Sequence, residues 1–159
     1  MKILVTVGTT RFDSLIRYLD ETFAGLAYEF TFQIADGKYK PINFPYFRFS
    51  ADIKTYYEAS DLVICHAGAG TIYKLLEIKK KIIIVPNTER VDNHQLDIAG
   101  YMASNGYAIS VQEFTELAEG IKKASVAEMK VFEKHDFDKT LEIISFCMGD
   151  LENKKIRNN

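Results

Sequence analysis

Three short, almost unbroken apolar runs constrain this sequence more than any other feature. Lys2 to Val7 ends at Gly8, Asp61 to Cys65 ends at His66-Ala67-Gly68, and Lys81 to Val85 stops at Pro86. A strand with one wet face alternates apolar and polar residues. A run that is apolar nearly throughout is a strand buried on both faces, as in a parallel sheet covered by helices. Between the runs lie stretches of helical spacing: Phe12, Leu15, Ile16, Leu19 and Phe23 make one stripe, and Ile72, Leu75 and Leu76 another. The chain therefore reads as α/β, a doubly wound, mostly parallel and Rossmann-like sheet of about six strands.

The remaining elements fill that frame. Tyr28 to Ile34, Tyr46 to Ser50 and Tyr107 to Val111 read as the second, third and sixth strands. Asp36 to Pro45 is a loop. Asp52 to Glu58, Gln95 to Ser104 and Glu113 to Ala124 read as helices, the second closed by Asn105-Gly106. A last helix runs from about Phe137 to Met148, with Phe137, Leu141, Ile144 and Met148 on one face. With no internal repeat, 159 residues make one domain over 1–150 and a polar tail over 151–159.

Composition excludes several classes of function. Apolar residues are 47% and charged residues 26%, which rules out a disordered chain. The formal net charge is -2, so no overall basic field recruits nucleic acid, and no nucleic-acid partner is expected. No apolar run approaches the roughly 18 residues of a membrane span. The N-terminal run is too short for a signal peptide and reads as the first strand. Cys65 and Cys147 lie far apart without a CxxC pair, which suits a reducing compartment and supports no metal site.

Three segments carry candidate chemistry. Gly8-Thr9-Thr10 follows the first strand, where backbone N–H groups at a helix N-terminus favour an anion. The same residues also suit a plain tight turn with Thr10 as helix N-cap. Cys65-His66-Ala67-Gly68-Ala69-Gly70-Thr71 ends the fourth strand; its small residues let a ligand approach the backbone, the next helix offers unpaired donors, and Thr71 adds a hydroxyl. In open α/β sheets ligands bind beyond the carboxyl ends of the strands. If the first and fourth strands are neighbours, the two glycine loops flank one crevice. Asp92-Asn93-His94-Gln95 offers donors and acceptors for a hydroxyl-rich ligand, or caps a helix.

Other motifs fail. Tyr73 stands where a dinucleotide fingerprint needs its third glycine, and no Walker-type loop occurs. Cys65 and His66 are adjacent and point to opposite faces of a strand, so they form no dyad. Asp136-Phe137-Asp138 opens a helical pattern and reads as helix-start acids.

Taken together, Val5 to Ile16, Asp61 to Ile72, and Ile84-Val85-Pro86-Asn87 with Asp92 to Gln95 resemble, in order and spacing, the Alg13-like glycosyltransferases and the related PssE-type polysaccharide proteins. Gln33, Tyr39 and Pro41 fall where that family tends to have them. The resemblance covers roughly residues 1 to 110. It implies a fold like the C-terminal, donor-binding half of the MurG-type enzymes, one half of a GT-B fold. It implies a partner too, a membrane-associated subunit similar to Alg14 or PssD, which recruits this cytoplasmic chain to the cytoplasmic face of a membrane and supplies the lipid-linked acceptor.

By the same resemblance, Gly8, Thr9 and Thr10 lie near the donor phosphates, and His66, Gly68, Ala69, Gly70 and Thr71 surround the diphosphate. Asn93, His94 and Gln95 contact the sugar. Phe49 and Ser50 fall near the segment that reads the base. The family often has a Glu three residues after the Thr of the glycine loop; here that position is Lys74, with Glu77 one turn on as a possible holder of ribose.

The implied function is the donor-binding catalytic subunit of a two-component enzyme that moves a sugar from a UDP-sugar to a lipid-linked acceptor, of the N-glycan precursor or surface polysaccharide type. No cofactor or metal is required, because a helix N-terminus stabilises the leaving diphosphate. No carboxylate in the three loops is an obvious base, so the base falls to the partner, with His66 and His94 as the local candidates. The alternative function is a non-catalytic nucleotide-sugar-binding or regulatory subunit. An apolar stripe on the last helix packs on its own sheet, docks on the partner, or drives self-association of the isolated chain.

Overall fold

The computed structural model describes residues 1–89 and 94–133. Strand β1 (Lys2–Thr6) forms the centre of the molecule, buried from Ile3 onward. On one side it pairs in parallel with β2 (Glu29–Gln33), Val5 opposite Phe32. On the other it pairs in parallel with β4 (Leu62–Cys65), Thr6 opposite Cys65. Strand β3 (Tyr46–Phe47) adds to β2; β5 (Lys81–Ile84) and β6 (Ile109–Ser110) extend the sheet beyond β4. The order is β3-β2-β1-β4-β5-β6, all parallel. Chain order reverses between β1 and β4, the topological switch point of a doubly wound sheet.

Alternation along each strand sorts the core into two layers. Ile3, Val5, Ile64 and Ile83 face one layer, where α1 (Asp13–Thr22) presents Leu15, Ile16 and Leu19, and α5 (Leu117–Val126) presents Leu117 and Ile121. Leu4, Val63, Cys65, Ile82 and Ile84 face the other, beneath α3 (Ala69–Glu77) and α4 (His94–Ser104), with Tyr57 from α2 (Ile53–Ala59). After α5 the chain passes the start of β5: Met129 packs on the first layer and Phe132 on the second, its ring against Tyr73 and Tyr107.

Several elements differ from the sequence reading. Strand β3 spans Tyr46–Phe47 and β6 spans Ile109–Ser110, both shorter than the runs suggest. The helix expected from Glu113 opens as a 3-10 turn, Phe114–Glu116, and becomes α-helical at Leu117. The N-cap position of α1 is Phe12, not Thr10. The helix expected over Phe137 to Met148 and the tail over 151–159 lie outside the described residues.

The connection from β2 to β3 has no helix. Two carboxylates of α1 hold it instead. Asp13 accepts from the N–H groups of Lys38 and Tyr39. Asp20, fully buried inside the apolar stripe, accepts from the Tyr39 hydroxyl at 2.7 Å and from the N–H groups of Ile42 and Asn43 at 3.0 Å. Burial, then the Asp20 hydrogen bond, push the Tyr39 hydroxyl up to about 12.

Candidate functional site

The carboxyl ends of β1, β4 and β5 bring the three predicted segments to one edge of the sheet. The Gly8 turn follows β1, His66 to Gly70 follows β4, and Pro86 to Glu89 follows β5. Hydrogen bonds join them laterally. The Asn87 side-chain amide donates to the Arg11 carbonyl at 3.2 Å, and Gln95 Oε1 accepts from the Asn87 N–H at 2.9 Å. A backbone N–H requires an acceptor, so the Gln95 amide is oriented with its NH2 away from Asn87. Ser14 donates to Glu89 across the same edge.

His66 is the wedge between the first two segments. Gly8 has φ +67°, a conformation that favours glycine. A Cβ built on Gly8 lies 2.6 Å from His66 Cε1, and one built on Gly68 lies 2.2 Å from His66 Nε2. Both glycines are therefore small because an imidazole occupies the adjoining space. Among the described residues, His66 Nδ1 is buried and has no hydrogen-bond partner. Burial lowers the His66 pKa, with the Thr6 backbone carbonyl acting in the opposite, lesser sense. The ring is thus held toward its neutral form.

Gly70 differs from these two. It sits in the exposed first turn of α3, and a Cβ there meets none of the described residues within 4 Å. The N-cap is Gly68, which has no side chain to satisfy the first amides. The α3 N-terminus, with its open donors and positive dipole end, consequently faces outward at the switch point. Below it, the buried Tyr57 interacts through its hydroxyl with Thr71 and Thr6, and burial, followed by Cys65, raises its pKa. Cys65 itself is fully buried and its thiol is pushed up to about 12 by desolvation, so it is a core residue without nucleophilic character.

The predicted sugar-side and base-side residues divide. His94 is the first residue of α4 and exposed, and Gln95 is half-buried beside Asn87; Asn93 and Asp92 lie outside the described residues. Phe49 is 61% exposed and Ser50 half-buried, just past β3. Glu77 and Lys74 share a groove of about 420 Å³ with Ala51, Ile53, Lys54 and Tyr57, so both face the segment after Ser50. Thr9 is exposed on the Gly8 turn, and Thr10 half-buried. Among the described residues no group of three or more His, Cys, Asp or Glu is placed to hold a metal ion. No helix among them is long and apolar enough to cross a membrane.

Gln33, which the resemblance marked without a role, joins the site. At the end of β2 and 3% exposed, its side-chain oxygen accepts from the Thr6 hydroxyl at 2.7 Å, the Gly8 N–H at 3.0 Å and the Val7 N–H at 3.2 Å. Its NH2 donates to the carbonyls of Gly8 at 2.9 Å and Arg48 at 2.8 Å. The Gly8 N–H is thereby already engaged, so Gly8 shapes its turn and does not point a donor outward.

Comparison with known proteins gives the following. The glycosyltransferase family 28 C-terminal domain model matches residues 2–142. The human UDP-N-acetylglucosamine transferase subunit ALG13 is 34% identical over 118 residues, covering 66% of this chain and 10% of that protein. The Saccharomyces cerevisiae subunit of the same name is 35% identical over 101 residues, covering 62% of this chain and 48% of that protein. The chain thus spans about a tenth of the human relative and about half of the yeast one. Among solved structures, ALG13 in solution superposes with a TM-score of 0.57 at 20% identity, covering 84% of this chain and 89% of that one. MurG of Acinetobacter baumannii gives 0.61 at 23% identity, covering 77% and 40%. At these identities the two structures speak for the fold alone.

Proposed function

The chain belongs to the family of glycosyltransferase family 28 C-terminal domains, and from that premise we propose that it is the donor-binding subunit of a two-component glycosyltransferase. The donor is a UDP-sugar, and the acceptor is a lipid-linked hydroxyl presented by a membrane-associated, Alg14- or PssD-like partner. The observation that carries this reading is the outward-facing first turn of α3 beside the Gly8 turn, at the switch point of the sheet. The relatives named as transferase subunits support the donor class and the need for a partner.

In this reading the amides of Ala69 and Gly70 receive the diphosphate, with Thr71 closing the same turn, Thr9 and Thr10 across the crevice, and His66 and Gly68 fixing the distance between the loops. Phe49 and Ser50 meet the base, and Glu77 the ribose, with Lys74 on the same groove. Asn93, His94 and Gln95 meet the sugar. The acceptor hydroxyl attacks the anomeric carbon, and the bond from that carbon to the diphosphate breaks. The α3 N-terminus stabilises the charge that accumulates on the leaving diphosphate, a role filled here without a metal. The acceptor proton passes to a base on the partner. His66, held toward the neutral form, binds and spaces the loops, and is no strong base.

Titration calorimetry with uridine diphosphate tests the donor site. Gly70→Asp places a carboxylate on the outward-facing turn, so affinity falls at least about tenfold, or roughly 1.4 kcal/mol. Undiminished affinity in the folded variant overturns the assignment. A transferase assay with and without the partner separates catalytic from regulatory subunit: donor binding without turnover in the complex supports the regulatory alternative.

A further inference from the structure

Gln33 stands out because a single buried amide serves two segments that the proposed function assigns to opposite ends of the nucleotide. Its oxygen accepts from Thr6, Val7 and Gly8 on the phosphate side. Of its two amide protons, one goes to the Gly8 carbonyl and the other to the Arg48 carbonyl, immediately before Phe49 and Ser50 on the base side. Both donors and the acceptor are spoken for, so the group has one orientation and no spare hydrogen bond. Gly8 is gripped at both its N–H and its carbonyl. Movement of the Gly8 turn therefore displaces the Gln33 amide, and with it the Arg48 carbonyl.

We propose that Gln33 is a positioning residue that couples the Gly8 turn to the Arg48–Ser50 segment, so that the phosphate and base ends of a nucleoside diphosphate are bound as one unit. The inference rests on the donor-site assignment above and adds a dependence between its two ends. Thr6 extends the same network, since its hydroxyl also meets Tyr57, which in turn meets Thr71 at the start of α3. Three of the ligand-facing segments thus share one buried polar system, and satisfied buried networks hold a single geometry. Apolar packing alone does not give this result, because it does not register the peptide planes.

The test follows backbone amide resonances of the full chain while inorganic pyrophosphate, a probe with no base, is added. In the unaltered protein, the Gly70 and Thr9 resonances shift, and those of Phe49 and Ser50 shift with them. In Gln33→Met the shift at Gly70 persists and the shifts at Phe49 and Ser50 disappear, while affinity for uridine diphosphate falls about tenfold. Persistence of the Phe49 and Ser50 shifts in Gln33→Met overturns the coupling and leaves the donor site intact. Absence of any Gly70 shift in the unaltered protein, with pyrophosphate and with uridine diphosphate, overturns the donor site and the coupling together. If Gln33→Met does not fold, Gln33→Glu answers the same question at neutral pH: it keeps an acceptor for Thr6, Val7 and Gly8, and removes both protons owed to Gly8 and Arg48. Lowering the pH then returns a proton and restores the Phe49 and Ser50 response, which a merely space-filling role does not produce.

Discussion

Gly8 and Gly68 on one side, and Gly70 on the other, are the same residue in neighbouring turns with opposite surroundings. The first two press against the His66 ring, at Cβ distances no side chain tolerates. The third looks into open space. A glycine-rich turn at a strand end therefore records two separate requirements, room for a neighbouring side chain and room for something from outside. Of these three glycines, Gly70 answers the second. The wedge and the opening depend on each other, because His66 sets how far the Gly8 turn stands from the start of α3.

The sharpest way to break that contrast is Gly68→Ala. Its methyl group meets a buried ring and neighbouring backbone, and overpacking of this kind costs about 1–3 kcal/mol. Urea unfolding should show the loss, and adding His66→Ala should return much of it; a loss that the second change leaves untouched means that the ring is not the obstacle. Gly70→Ala should behave in the opposite way. With nothing near its Cβ and a helical backbone, it should raise stability by about 0.5–1 kcal/mol, the ordinary gain over glycine within a helix. A drop in stability would show that the space is not open.

A smaller effect concerns the charge on the wedge. The His66 pKa lies below its ordinary value of 6.5 in the folded chain, so the unfolded chain takes up the proton first. Its contribution to stability is full above about pH 6.5 and is lost as pH falls toward the lowered folded value. Unfolding midpoints at pH 7.5 and 5.5 should differ less in His66→Gln than in the unaltered chain. A last effect is at the other end of the crevice. Gln95→Glu keeps the acceptor for the Asn87 N–H and removes the amide protons, so binding of a UDP-sugar should weaken about fivefold while binding of uridine diphosphate stays the same. Equal losses for both ligands would mean that Gln95 does not read the sugar.

Much of the architecture was legible from residue pattern. The runs at β1, β4 and β5 are apolar because they are covered on both faces, and that same burial makes them visible. The neighbouring glycine loops followed from parallel topology once β1 and β4 were adjacent. Gln33 was not legible as a connector. It occupies an ordinary polar position in the alternation of β2, opposite in face to Phe30 and Phe32, and only the pairing of three distant segments gives it partners. Asp20 was hidden for a related reason. Its position reads as a polar break in the α1 stripe, and the N–H groups that satisfy it come from a loop about twenty residues later, a spacing that helical periodicity does not encode. His66 was visible as a polar residue in a small-residue turn, but its place as a wedge was not, since spacing alone does not tell which way a ring turns.

The sheet order also sets a timetable for the chain as it leaves the ribosome. β1, β2 and β3 follow one another outward in one direction, and β4, β5 and β6 then do the same in the other. Until Leu62 to Cys65 emerge, β1 has no strand on its second edge, although it is buried from Ile3 onward in the finished sheet. An unpaired apolar edge of this kind recruits strangers as readily as its own partner. The seam that later holds the two glycine turns together thus stays open while α1, β2, β3 and α2 are made, and for that time the nascent chain is exposed to holdase chaperones and to aggregation.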